Sequence, residues 1–297
     1  MDDEEPTARA RATTALRVLL AKLSARAKIP LDPDCLESRD PDLVETVIPI
    51  ARFANRHYLR LKAEGFANLE KGPVLYVANH NGGIAGPDIS CTMGSLWESL
   101  GARVPLYGLA HDFVMRHIPR AGAVLQAFGA IRAKPENALR ALQAGAQVLV
   151  YPGGDLEAYR HARRGDRVVL GPCTGFVRVA QAAGVPIVPI VAQGAHRSAY
   201  IFSEGEVLAR LFRLKRWARL ERFPLAFALP WGLALGPWVP YLPLPFPIRL
   251  RVLPPIEAPP GQHPEKIRDQ VQAAMQLALD DLTLMAKKEP RRADLPR

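Results

Sequence analysis

His80 and Asp88 are the first residues in this chain whose types and spacing suggest chemistry. His80 follows a short apolar run, Val74 to Ala78, and the segment Asn81-Gly82-Gly83-Ile84-Ala85-Gly86-Pro87 separates it from Asp88. Such a run suits a buried strand, and ligands of α/β sheets bind where strands end. Histidine is the side chain best suited to exchange a proton near neutral pH. A carboxylate on its far ring nitrogen would fix the tautomer and stabilise the imidazolium. Gly82 and Gly83 allow backbone N–H groups to approach a substrate oxygen closely. The plainer reading is a loop histidine followed by an aspartate that caps a helix.

A second strand-like run, Val148 to Tyr151, enters Pro152-Gly153-Gly154-Asp155-Leu156-Glu157. Again a glycine turn precedes a carboxylate, so two glycine-rich strand ends would face one cleft. Competing chemistries lack their residues. There is no GxSxG elbow for a serine hydrolase, no HExxH and no GxxxxGK[ST] phosphate loop. His111-Asp112 has no third ligand nearby, and Cys35, Cys91 and Cys173 are scattered, so no metal site or disulfide framework is expected. His196 reads as a polar loop histidine.

These residues need a scaffold. The 297-residue chain is 48% hydrophobic and 23% charged, a globular composition. Strand candidates at 104–109, 187–191 and 249–253 add to those at 74–78 and 148–151. Helices are expected between them, from Pro135-Glu136 to Gly145 and from about Thr174 to Gly184. The alternation predicts an α/β fold with a mixed, mostly parallel sheet flanked by helices. Gly184-Val185-Pro186 reads as the turn into a core strand. Ahead of this domain, Leu16, Leu19, Leu20 and Leu23 recur at helical spacing behind an acidic start. A second helix is capped by Asp40, opened by Pro41 and extended toward Gly65. The expected organisation is an N-terminal amphipathic helical region (1–65), an α/β domain (66–258) and a C-terminal helix and tail (259–297).

Four segments in order resemble the glycerolipid (lysophospholipid) acyltransferase superfamily, the PlsC-like proteins, in its monoacylglycerol and diacylglycerol acyltransferase-like branch. They are Asn79-His80-Asn81-Gly82-Gly83 through Pro87-Asp88; Gly129-Ala130-Ile131-Arg132-Ala133 with Pro135-Glu136-Asn137-Ala138; Tyr151-Pro152-Gly153-Gly154 with Glu157; and Val185-Pro186-Ile187-Val188-Pro189. The resemblance spans about Arg60 to Glu257. It implies an O-acyltransferase in which His80, oriented by Asp88, deprotonates a lipid hydroxyl that attacks acyl-CoA or acyl carrier protein. Asn79, Gly82, Gly83, Arg132, Gly153, Gly154 and Glu157 would line the substrates. No cofactor is implied beyond the acyl donor. Two departures stand out. Residues 81 to 87 form a longer insert than the commonest superfamily pattern, and Glu-Gly-Thr-Arg is absent, which leaves Arg132 as the candidate phosphate contact and a neutral acceptor open.

Lys plus Arg is 39 against 29 for Asp plus Glu, a formal net charge of +10, which favours an anionic partner. Aromatics are only 7% and show no basic-aromatic repeat, so nucleic acid is not expected. Arg210, Arg213, Lys215, Arg216, Arg219 and Arg222 precede Phe223 to Ile248, a charge-free stretch carrying seven prolines along with Trp231, Trp238 and Tyr241. Prolines argue against a spanning helix. An irregular apolar loop at an anionic membrane surface is expected, with the protein peripheral or monotopic on the cytoplasmic face and no signal peptide. The alternative is a catalytically inactive lipid-binding protein on the same scaffold.

Overall fold

The computed structural model describes residues 8–83, 86–112, 114–115, 120–217, 220–230, 232–236 and 242–289. Two helices come first, α1 (Ala8–Arg26) and α2 (Pro41–Phe53), then β1 (Lys62–Glu64), β2 (Leu75–Ala78), α3 (Pro87–Leu100), β3 (Leu106–Ala110), α4 (Ala121–Ala127) and β4 (Ala130–Arg132). The chain continues through α5 (Pro135–Gln143), β5 (Gln147–Val150), α6 (Gly154–Ala158), α7 (Gly175–Ala183) and β6 (Ile187–Gln193). It closes with β7 (Tyr200–Ser203), α8 (Glu206–Leu211), α9 (Leu214–Trp217), β8 (Leu225–Ala228), β9 (Gly232–Leu235), β10 (Arg249–Val252) and α10 (Pro264–Lys288).

Seven strands form the central sheet in the order β1-β10-β6-β2-β5-β3-β4. Every pairing is parallel except β10 with β6, which is the mixed, mostly parallel α/β architecture expected. Strand residues alternate between faces. Leu75 and Val77 point into a core with Ala141, Phe176 and Met275 of α5, α7 and α10. Tyr76 and Ala78 point the other way, onto Val44 of α2 and Leu96 and Trp97 of α3. Both faces are covered, so buried strands read as unbroken apolar runs.

Local chemistry sets the element ends. Asp40 caps α2, its carboxylate accepting from the N–H groups of Asp42 at 3.1 Å and Leu43 at 3.0 Å. Such a cap contributes about 1 kcal/mol. Prolines open α2, α3, α5 and α10 at positions that need no N–H. The acidic start expected for α1, and Leu16's side chain, lie outside the described residues.

Two expectations are corrected. The second helix does not run to Gly65: α2 ends at Phe53, a wide turn covers Ala54–Tyr58, and Lys62–Glu64 pairs with β10. Arg60, at φ 47°, reverses the chain there. The stretch after Phe223 is not an irregular loop throughout. It contains β8 and β9, which join β7 in a separate three-stranded antiparallel sheet, with Pro224 and Pro230 just outside β8, where no ladder N–H is needed. Trp231, Pro237, Trp238, Pro240 and Tyr241 lie outside the described residues. Among those described, no helix is long and apolar enough to cross a membrane.

Candidate active site

β2 lies between β6 and β5, and all three point their C-terminal ends the same way. His80, the Tyr151-Pro152-Gly153-Gly154 turn and the Gly194-Ala195-His196 turn therefore emerge side by side. The two glycine-rich strand ends do share one edge of the sheet.

His80 Nδ1 lies 2.7 Å from Asp88 Oδ2. The seven-residue insert does not separate them, because Gly86 turns the chain back, its N–H donating to Gly83 O at 3.0 Å. Pro87 then starts α3, which delivers Asp88 in its first turn. A methyl group on Gly86 would overlap Asp88 Oδ1, so this glycine, which the sequence did not single out, is required by close approach. Asp88 Oδ2 also accepts from Asn81 N–H at 3.2 Å. Burial pushes the His80 pKa down, but the charge and hydrogen bond of Asp88 outweigh it, and the net shift is upward. The Tyr151 ring covers one side of the imidazole, centroids 4.9 Å apart.

Glu157 ties the second loop to the first. It is fully buried. Its Oε2 accepts from His80 N–H at 2.8 Å and its Oε1 from Val169 N–H at 2.9 Å. Arg160 Nη2 stands 3.8 Å from Oε1. Burial raises the Glu157 pKa to about 7, against the opposing pull of Arg160 and the two N–H donors. Gly153 leaves room for this carboxylate: a Cβ there would sit 2.5 Å from Oε2. Gly154 adopts φ 51°, a left-handed turn residue with open space around it.

Several expected substrate contacts are already committed within the protein. The Asn79 carboxamide donates to Ala192 O at 3.0 Å and accepts from Ala192 N–H at 2.7 Å. It clasps β6 instead of facing a ligand. Gly83 N–H donates to Ala158 O at 3.0 Å, so it is not a spare oxyanion donor. Gly82, at φ 93°, packs so closely that a Cβ would lie 2.5 Å from Ala195 O. Arg132 ends β4, three strands from β2, roughly 14 Å at the usual strand spacing. Its Nε lies 3.1 Å from Asp112 and 3.5 Å from Asp34. The half-buried His196 packs over Gly165, with burial pushing its pKa down to about 4.

The structure is thus a mostly parallel sheet carrying a histidine–carboxylate pair on the loop after a central strand. The solved structure of the 1-acyl-sn-glycerophosphate (LPA) acyltransferase PlsC from Thermotoga maritima has this fold. The match has a TM-score of 0.55 and 15% identity, and covers 95% of this chain and 93% of that one. The family model described as Acyltransferase matches residues 60–193, a little under half of the chain. An uncharacterized protein of Mycobacterium tuberculosis is 28% identical over 206 residues, 66% of this chain and 57% of its own length. A Bos taurus protein described as a DGAT1/2-independent enzyme synthesizing storage lipids is 29% identical over 213 residues, 71% of this chain and 56% of its own. The chain thus spans a little over half the length of the curated relatives it matches.

Proposed function

We propose that this protein transfers an acyl group from acyl-CoA or acyl carrier protein to the hydroxyl of a glycerolipid or related lipid alcohol. The observation that carries the reading is the 2.7 Å contact between His80 Nδ1 and Asp88. With the Nδ1 proton held by the carboxylate, Nε2 carries the lone pair. Nε2 takes the proton of the acceptor hydroxyl as its oxygen attacks the thioester carbonyl. The C–S bond then breaks, and the imidazolium returns the proton to the leaving thiolate. No acyl-enzyme is required. The ion pairing of Arg132 with Asp112 and Asp34 favours a neutral acceptor, since a phosphate would have to displace carboxylates already in place.

The second reading, a catalytically inactive lipid-binding protein, draws on one observation: His80 keeps only 6% of its side-chain surface. On the acyltransferase reading this cover excludes water from the thioester. The deciding experiment incubates the purified protein with either thioester and a mixture of lysophospholipid, monoacylglycerol and diacylglycerol. Thiol release is followed, and products are identified by mass spectrometry. Turnover that His80→Ala lowers by roughly 10²–10⁴ is expected. Absence of thiol release with every acceptor would leave the inactive reading standing.

A further inference from the structure

An antiparallel sheet with one face packed on a core ordinarily turns polar residues to water on the other. The small sheet does not. Its inner residues, Ile201, Ala226, Ala228 and Ala234, pack onto Tyr159, Leu214 and Leu220. On the outside, Phe227 pairs with Tyr200 on one side and Leu233 on the other, and the neighbouring row pairs Leu225 with Leu235. Leu233 is 66% exposed and Leu235 56%, and Tyr200 and Phe227 are exposed as well. The preceding helix α8 adds Leu211, 71% exposed. An apolar surface continuous across three strands marks an interaction site.

Charge identifies its partner. Residues 204–222, which lead directly into β8, carry six basic side chains against three acidic ones, and Arg210, Arg213 and Arg216 are exposed. Aromatic rings rimmed by arginines suit the headgroup layer of an anionic bilayer. Position agrees. The turn that leads into β7 lies against Gly82, and Ala158, beside the Tyr159 that the sheet covers, accepts the Gly83 N–H. The face is therefore anchored to both loops that frame His80.

We propose that the outer face of the β7–β8–β9 sheet, with α8, inserts into the interface of an anionic bilayer and brings the His80 loop to its lipid acceptor. This deepens the acyltransferase reading by naming the docking element, and it is tested without turnover. The full chain is sedimented with vesicles of phosphatidylcholine and phosphatidylglycerol, and with phosphatidylcholine alone. Binding that is stronger to the anionic vesicles and weakens with salt is expected. Leu233→Asn and Leu235→Asn should each weaken it about tenfold, in line with the transfer energy of a leucine side chain. Leu233→Trp should show a blue-shifted emission when vesicles are added, a readout that needs no loss of binding. His80→Ala should dock like the wild type, so a failed activity assay leaves this result intact. Four outcomes overturn the proposal. Both asparagine variants bind as the wild type does. Val18→Asn with Leu20→Asn on α1 abolishes binding while the sheet variants do not. The tryptophan emission stays unshifted. The wild type is a dimer that the sheet variants dissociate with vesicle binding unchanged.

Discussion

The Glu157 carboxylate accepts the backbone N–H of His80 at 2.8 Å. The proposed base is thus held from two directions, its ring by Asp88 and its main chain by a carboxylate that arrives from the neighbouring strand end.

Glu157→Gln keeps the shape but replaces one acceptor oxygen with a donor, so the N–H of either His80 or Val169 loses its partner. An unsatisfied buried donor costs about 1–3 kcal/mol. The variant is expected to fold with a lowered Tm and to lose about tenfold or more in kcat, with KM changing less. Glu157→Asp should not restore the rate, because the shorter side chain cannot span both donors. Calorimetry and thiol-release kinetics read the two effects.

The Glu157 pKa also makes a stability prediction. Its folded value of about 7 exceeds the ordinary 4.5, so between those values the native state binds a proton that the unfolded chain does not. Stability from this group is full below pH 4.5 and is lost as pH rises through about 7. Subtracting the pH dependence of Tm for Glu157→Gln from that of wild type should leave a falling slope across this window. A flat difference would show that the carboxylate is not held protonated.

Activity should follow the opposite sign. On the proposed mechanism neutral His80 is the working form, and its pKa is raised by Asp88. The rate is expected to climb with pH to a midpoint above 6.5. Asp88→Asn removes the charge and should shift that midpoint downward while lowering the plateau by a factor on the order of 10²–10⁴. An unmoved midpoint would detach Asp88 from the titration.

Gly86→Ala tests the turn that brings Asp88 back. The added methyl would overlap Asp88 Oδ1 and lie 2.7 Å from Asn81 O. Relief requires the carboxylate to move away from the imidazole. At least a tenfold fall in kcat is expected, with the pH midpoint moving in the same direction as in Asp88→Asn.

Arg132→Ala separates acceptor chemistries. Removing the guanidinium leaves Asp112 and Asp34 without their shared cation, at a cost of about 1–3 kcal/mol given their partial exposure. Tm should fall, while KM for a neutral acylglycerol stays within about twofold. A large rise in KM confined to phosphorylated acceptors would return Arg132 to a headgroup-binding role.

Much of the central sheet is legible in the chain. The apolar runs at 74–78, 104–109, 148–151 and 187–191 appear as β2, β3, β5 and β6, because strands covered on both faces admit almost nothing polar, and the candidate at 249–253 appears as β10. β1 leaves no apolar signal because Lys62, Ala63 and Glu64 are all exposed on an edge, and β4 leaves none because three residues carry no period. β8 and β9 were hidden by prolines that lie beside strands rather than within them. At the site, residue types indicated His80, Asp88 and a carboxylate after the second glycine turn. That Glu157 grips the His80 main chain, that Asn79 clasps Ala192 and that Gly83 N–H is occupied are long-range pairings, invisible to spacing along one segment.

The double tether between the two loops, Glu157 to His80 N–H and Ala158 O to Gly83 N–H, has a consequence for protein engineering. Neither loop has an independent length. A chimera that imports residues 79–88 from a relative without the matching 151–158 would present its new main chain to acceptors set for another trace. Grafts should succeed when the two segments travel together, as a single cassette spanning adjacent strands.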